Sequence, residues 1–389
     1  MRLFSADRRR NYKALENVQA AGCLEKPCDF GGRMILRGAY LIRRFLTSAR
    51  RNEKQAQADR IRDQFYEQCW REAAQSCGGE YARIGEGVSR ITHKIVRRPI
   101  FVDRNLNVLD SHAAVQATDD KPATYRLVRE LGAPVPDHVV LRADAHKAAL
   151  EFIQSHGGSF VVKPASGTAG GVGVTSNVRT ASELRHAMAW AGAYCSRVLV
   201  ERQIEGDTYR LLYLNGNLLD CVLRMSPSLV GDGTSTVRKL VEEENRLRLS
   251  EGFKRSQSLL KIDRDMKATL AAQGLGLNSV PTDGQKFMIK HVANDNSANE
   301  NVSMIDSVAV STIEIGQHIA AIFGLKLVGL DIMTPDISKP LGEAHGAVID
   351  INGDPGFYYH YYKDSGRIAL AEHILTEVIK AAESDVCPA

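Results

Sequence analysis

The sequence predicts an α/β protein of the α+β kind, built as two or three lobes, and three observations carry that reading. Its 389 residues exceed what one core usually organises, since a domain holds roughly 100 to 200 residues. Helical and strand patterns follow one another along the chain, and several strands come as strand-turn-strand pairs, the mark of antiparallel sheet. A glycine-rich loop directly follows one buried strand, and two late apolar strands each carry an acidic residue. With 44% apolar and 25% charged residues the composition is globular, which excludes whole-chain disorder and fibrous classes.

The chain opens on a basic head. Residues 1–60 hold 14 Lys/Arg against 6 Asp/Glu, whereas residues 301–389 hold 5 against 12, so the two ends are expected to do different jobs. Within the head, Arg33 to Arg51 sets Met34/Ile35, Leu41/Ile42 and Phe45/Leu46 near helical spacing with arginines between them. That stripe suits a membrane-surface or nucleic-acid-binding helix, or a helix packing its apolar face on the next domain; the packing role is favoured. No nucleic-acid partner is expected. No apolar run reaches the roughly 18 residues of a membrane span and no signal-peptide core follows the first arginines, so a cytoplasmic protein without a membrane span is expected. The 7 cysteines lack any Cys-x-x-Cys pair and read as reduced thiols.

Asp59 to Gln75 has helical periodicity and is stopped by Gly78-Gly79. The runs EYARIGEG, SRITHKIV and PIFVDRN read as strands, giving a small α/β or α+β domain. DDKPATYRLVRELG is a capped helix with Pro122 near its first turn, PVPDHVVLR an edge strand, and ADAHKAALEFIQSHGG another helix. After the strand FVVKP come a helix from Ala181 to Ala193 and strands from Arg197 to Glu201, Arg210 to Leu214 and Leu218 to Met225. The expected organisation is a basic helical segment over 1–60, a small α/β domain over 61–117, a lobe with the glycine loop over 118–205 and a C-terminal lobe over 206–389.

Three constellations carry chemistry. In FVVKPASGTAGGVGV, Lys163 ends a strand and Gly167, Gly170, Gly171 and Gly173 follow with Ser166 and Thr168. Glycines let backbone N–H groups wrap phosphate oxygens while the ammonium adds a point charge. The spacing is neither a Walker loop nor a dinucleotide fingerprint, and a plain surface hairpin is the alternative. In VLVERQIEGDTYRLLYLNG, an apolar strand ends in Glu201 and a turn at Gly206-Asp207 returns the chain into another strand. The backbone there could meet an adenine edge and Asp207 a ribose; an ordinary strand turn is the alternative. In GLKLVGLDIMTPD and GAVIDINGDPGF, Asp331 and Asp350 sit among hydrophobics, with Asn352 two residues on. Buried carboxylates imply a cation or an arginine between them, and an all-oxygen set suits Mg²⁺.

In this order and spacing, KPASGTAGGVGV, VERQIEGDTYRLL, VGLDIMTPD and DINGDPGF resemble the ATP-grasp superfamily of carboxylate-amine ligases. The likeness is strongest to the ATP-grasp domain of cyanophycin synthetase and the related domain of bifunctional glutathione synthetases. It covers roughly residues 116–385. The resemblance implies an ATP-grasp fold, with ATP held between two α+β lobes after a small N-terminal domain. It implies an ATP-dependent ligase that joins a carboxylate, amino-acid or peptide-like, to an amine through an acylphosphate, releasing ADP and phosphate. Lys121 and Lys163 match lysines that contact ATP phosphates, and Ser166 to Gly173 the loop that closes over them. Glu201 matches the adenine-side acid, the Arg202 backbone and Ile204 the hinge, and Asp207 the ribose-binding acid. Arg224 matches an arginine facing the transferred phosphate, and Asp331, Asp350 and Asn352 the ligands of magnesium, expected as two ions, with Mn²⁺ an alternative.

Two departures stand out. The family usually has Glu where Asp350 stands, and the cyanophycin-type Asn-x-Ser-x-Gly-Gly segment reads Asn294-Asp295-Asn296-Ser297-Ala298-Asn299-Glu300, so a different acceptor pocket is expected. His360 and tyrosines 358, 359, 361 and 362 line that site or, more in keeping with buried aromatics, pack the core. A kinase on the same scaffold and a nucleotide-binding regulatory protein without turnover stay open as alternatives, as does a homodimer.

Overall fold

A computed structural model describes residues 53–168, 170–342 and 345–386. The basic stretch from Arg33 to Arg51 lies outside the described residues.

The first helix among the described residues, α1 (Glu53–Ser76), already includes the residues before Asp59 and buries Phe65, Tyr66, Cys69, Trp70, Ala73 and Ala74 along one stripe. It lies against an antiparallel meander of β1 (Glu80–Arg83), β2 (Val88–Thr92) and β3 (Ile100–Asp103). The Trp70 indole donates to the Arg104 carbonyl at 2.7 Å and fixes the end of that meander. After α2 (His112–Ala117), α3 (Lys121–Glu130) starts at Asp120, whose side chain accepts from the Ala123 amide. Pro122 occupies its first turn, where a missing N–H costs nothing.

A four-stranded antiparallel sheet follows. Its elements are β4 (His138–Arg142), α4 (His146–His156), β5 (Phe160–Pro164), β6 (Thr175–Val178), α5 (Ala181–Gly192) and β7 (Arg197–Arg202), with strand order β4-β7-β5-β6. As the prolines before it suggested, β4 is an edge. Phe160, Val162, Val198 and Val200 face α4 and α5, packing on Ala149, Ile153, Leu184, Ala187 and Met188. Strand alternation therefore turns Lys163 and Glu201 to the opposite face.

The C-terminal lobe begins with β8 (Asp207–Leu214), β9 (Asn217–Arg224) and β10 (Ser228–Val230). It continues through α6 (Val237–Glu251), α7 (Arg264–Ala272), β11 (Lys286–Met288), β12 (Asn301–Ser303), α8 (Val310–Phe323), β13 (Leu327–Thr334), β14 (Ala347–Asn352), α9 (Tyr358–Tyr361) and α10 (Leu370–Val386). Its five-stranded sheet has the order β12-β9-β8-β13-β14, and β10 pairs with β11 beside it. One face packs Tyr209, Leu211, Tyr213, Val328 and Leu330 under α8. The other is divided along its length. Leu212, Leu214, Val222 and Leu327 join Phe65, Trp70, Phe357, Tyr358 and Leu370 in one core, so α1 and α10 cover that end. At the other end the same face carries Arg210, Arg224, Asp331 and Asp350.

The turn at Gly206-Asp207 leads from β7 into β8, and these strands belong to different sheets. Residues 203–206 join the two sheets. Gly206, at φ +125°, lies so close to the Thr334–Pro335 backbone that a Cβ would come within 2.3 Å of the Thr334 carbonyl carbon. Such an approach steers β8 onto β13, with Asp207 opposite Thr334.

Candidate active site

The site lies where the helix-free face of the four-stranded sheet meets the charged end of the five-stranded one. Its first support is a bulge. Along β13 and β14, Asp331 stands opposite Asp350, yet Ile332 stands opposite Val348, so Ile349 is an extra residue. Its carbonyl accepts from the Lys163 ammonium at 3.1 Å and from the Tyr125 hydroxyl at 2.8 Å. Lys163 reaches this point from β5 and also lies 2.8 Å from Glu201 Oε1 and 2.9 Å from the Tyr125 oxygen. The single Tyr125 hydroxyl proton is shared between the Ile349 carbonyl and Glu201 Oε2, 2.9 Å away. Burial, with Glu201 beside it, pushes the Tyr125 hydroxyl well above the usual phenol range, so it stays a donor.

Lys121 enters from the first turn of α3, one turn before Tyr125 on the same helix face, and donates to Asp350 Oδ1 at 2.8 Å. Burial opposes its charge, but Asp350 outweighs burial and lifts the ammonium above its ordinary value. The Lys121 amide donates to the Ala165 carbonyl at 3.0 Å, which ties α3 to the root of the glycine loop. Asp331 is gripped by Arg210 through both oxygens, with Nη2 to Oδ2 at 2.9 Å, and Arg224 Nη1 lies 3.9 Å from Oδ2. Burial would raise its carboxyl, yet the two guanidiniums hold it below the usual carboxylate range. Arg224 Nη2 donates to Asn294 Oδ1 at 2.8 Å and to the Tyr359 hydroxyl at 2.9 Å, and its guanidinium lies 4.1 Å from the Tyr359 ring centre.

The glycine loop joins β5 to β6, so it is a hairpin as well as a phosphate-loop candidate. Gly167, Gly170, Gly171 and Gly173 all have positive φ. Ser166 is half-buried at its root, 3.6 Å from the Cys195 sulfur, Thr168 is half-buried, and Gly167 and Gly170 are exposed. In the inter-lobe link, the Arg202 amide donates to the Asp137 carbonyl at 2.8 Å and the Gln203 amide to the Ser159 carbonyl at 2.9 Å. The half-buried Ile204 makes no backbone hydrogen bond among the described residues, and Asp207 is exposed. Of the tyrosines after β14, only Tyr359 touches Arg224; Tyr358, Tyr361 and Tyr362 pack on Phe65, and His360 is fully buried against Asp220.

Among the described residues no three His, Cys, Asp or Glu side chains gather as a metal group. Asp331, Asp350 and Asn352 nonetheless suit a hard cation. Two carboxylates face each other across paired strands, and Asn352 follows Asp350 on the same strand face, where its carboxamide oxygen could add a third oxygen ligand. A cation there competes with Arg210 and Lys121 for the two carboxylates.

Sequence reasoning missed Tyr125, Arg210 and the Ile349 carbonyl. Tyr125 could have been found from its spacing after Lys121, and Arg210 as a lone cation in the apolar strand DTYRLLYL, matching the lone Asp331. No residue pattern announced the bulge.

No family model matches the chain. The cyanophycin synthetase of Trichormus variabilis is 32% identical over 254 residues, 65% of this chain and 28% of that protein. The glutathione biosynthesis bifunctional protein of Desulfotalea psychrophila is 24% identical over 275 residues, 70% of this chain and 35% of the relative. The chain thus spans about a third or less of these relatives' length. Among solved structures, a bifunctional glutathione synthetase from Pasteurella multocida superposes with a TM-score of 0.54 at 20% identity, over 81% of this chain and 43% of the other. With two antiparallel sheets meeting at a glycine loop and an acidic strand pair, the chain has the ATP-grasp fold.

Proposed function

We propose that the protein is an ATP-dependent ligase that joins a carboxylate, of an amino acid or peptide-like molecule, to an amine. The observation that carries this reading is the convergence of Lys121, Lys163 and Arg224 with Asp331 and Asp350, from both lobes, in one cleft. Its relatives' names, synthetases of cyanophycin and glutathione, support it.

The chemistry follows from charge. An amine cannot expel oxide from a carboxylate, so the acid first takes the γ-phosphoryl of ATP, giving an acylphosphate and ADP. Lys121 and Lys163 neutralise phosphate oxygens, while Ser166, Gly167, Thr168, Gly170 and Gly171 cover them and keep water out. Glu201, the Arg202 backbone, Ile204 and Asp207 hold the adenosine along the link between lobes. Magnesium, one or two ions held by Asp331, Asp350 and Asn352, supplies further positive charge to the phosphates when bound. The amine then attacks the carbonyl carbon, Arg224 stabilises the tetrahedral oxyanion, and phosphate leaves as the nitrogen loses its proton. No protein nucleophile is needed. A cytoplasmic setting agrees with Cys69, Cys77, Cys195 and Cys221 all being free thiols.

An ADP-release screen over paired acids and amines, with hydroxylamine as a substitute nucleophile, tests this. A hydroxamate formed from ATP and the correct acid alone is expected, and Lys163→Ala should abolish it. ADP release with no hydroxamate and no amide would replace the ligase with a kinase.

A further inference from the structure

We propose that Asn294 is a positioning residue that latches the glycine-rich loop to Arg224, so that loop closure and the aim of the arginine are one event. The inference rests on the ligase reading for its consequence, but its geometry stands apart. The Asn294 carboxamide is bonded at one end and packed at the other. Its Oδ1 accepts from Arg224 Nη2 at 2.8 Å, and its Nδ2 lies so close to Gly171 that a Cβ added there would come within 2.3 Å of it. Gly171 has φ +71°, so the loop meets Asn294 at a position only glycine occupies without strain.

Two further features make this a latch rather than a chance contact. Arg224 Nε is buried with no partner, so the guanidinium is oriented through its Nη atoms, by Asn294, Tyr359 and the Ala293 carbonyl. The turn bearing Asn294 stands on a fixed base. Lys290 bridges Asp295 at 2.7 Å and Asp263 at 2.6 Å, and Arg248 donates to the Asp295 carbonyl at 2.7 Å. When the loop comes down, Gly171 confines the Asn294 rotamer and with it the direction of Arg224; with the loop raised, the amide keeps its bond to Arg224 but loses the packing of Gly171 against its Nδ2.

The test uses the full chain and three variants, Asn294→Ala, Gly171→Ala and the double variant. Hydrogen exchange of the amides of residues 170–174 is measured without ligand, and kcat and KM for ATP are measured with Mg²⁺. Asn294→Ala should speed loop exchange about tenfold and lower kcat about tenfold or more, leaving KM for ATP within about threefold, since misaim rather than binding is the defect. Gly171→Ala should lower kcat about tenfold in the wild-type background, where its methyl strikes Asn294. In the Asn294→Ala background it should cost clearly less than in the wild type, because the nearest struck atom is gone while the positive-φ strain and the approach to Val292 Cγ1 at 3.2 Å are common to both backgrounds. Unchanged loop exchange in Asn294→Ala, or effects that simply multiply, would overturn the latch. If the wild-type protein makes no ADP with any substrate pair, the ligase reading fails, and the exchange data alone then decide for or against the latch.

Discussion

The cleft cluster and the Asp220 cluster both bury charge, but they draw their partners from different places. In the cleft, Lys163 and Glu201 come from the four-stranded sheet, Arg210, Arg224, Asp331 and Asp350 from the five-stranded one, and Lys121 from α3 between them. The second cluster lies within one lobe. Asp220 of β9 meets His360 of α9 at 2.8 Å and Lys363, just beyond that helix, at 2.5 Å. Burial would raise the Asp220 carboxyl, yet His360 and Lys363 hold it below its usual range. Burial lowers the His360 imidazole against the pull of Asp220, so His360 is neutral at pH 7. Within the first cluster Lys163–Glu201, Arg210–Asp331 and Arg224–Asp331 each pair inside one sheet, and Lys121–Asp350 pairs across the lobes; that cross-lobe pair can be re-made when a ligand enters, whereas the Asp220 pairs act as a fastening. Here that fastening holds α9, and with it Tyr359, against the sheet.

Breaking each cluster separates the two roles. Asp350→Asn should lower ADP release about a thousandfold, because the site loses a charge facing the phosphates. Stability, followed by urea unfolding, should move by no more than about 1 kcal/mol, since this carboxylate is partly exposed. Asp350→Glu sharpens the comparison: recovered or raised turnover marks the short side chain as a handicap, and lost turnover marks a pocket adapted to Asp. Asp220→Ala should do the reverse. It strands Lys363 as a buried, unpaired charge, so about 3–5 kcal/mol of stability should be lost in urea unfolding.

The pH dependence is a smaller effect. The folded pKa of His360 is lowered, so below the ordinary value near 6.5 the unfolded chain binds a proton that the folded chain refuses. Stability should therefore fall as pH drops from 7 toward 5, by up to about 1.4 kcal/mol per pH unit, and His360→Gln should flatten that slope. Smallest of all is deletion of residues 1–52. It should leave ATP affinity unchanged by calorimetry, because every described residue of the site lies beyond Asp120.

Much of this could be read from residues because the signals were local. The strand FVVKP, the cap at Asp120 and the paired positions of Asp331 and Asp350 depend on alternation and short spacing, which the chain carries in its own order. What escaped depended on register between distant segments. The bulge at Ile349 arises because β14 must meet β13 with one residue to spare, and the grip of Arg210 on Asp331 joins strands 121 residues apart. The close approach of Gly206 to the Thr334–Pro335 backbone was hidden for a related reason, because the two segments are remote in the chain.

The shared core of α1 and α10 also bears on how the chain is made. Phe65 and Trp70 are covered by Phe357, Leu370 and their neighbours, about 300 residues later. At roughly 5–20 residues per second of synthesis, the apolar stripe of α1 waits on the order of 15 to 60 s for the elements that bury it. Until then the nascent chain presents two aromatic rings and an unfinished sheet to its surroundings. Synthesis of α10 is thus the step that supplies the last of the partners covering the stripe of α1.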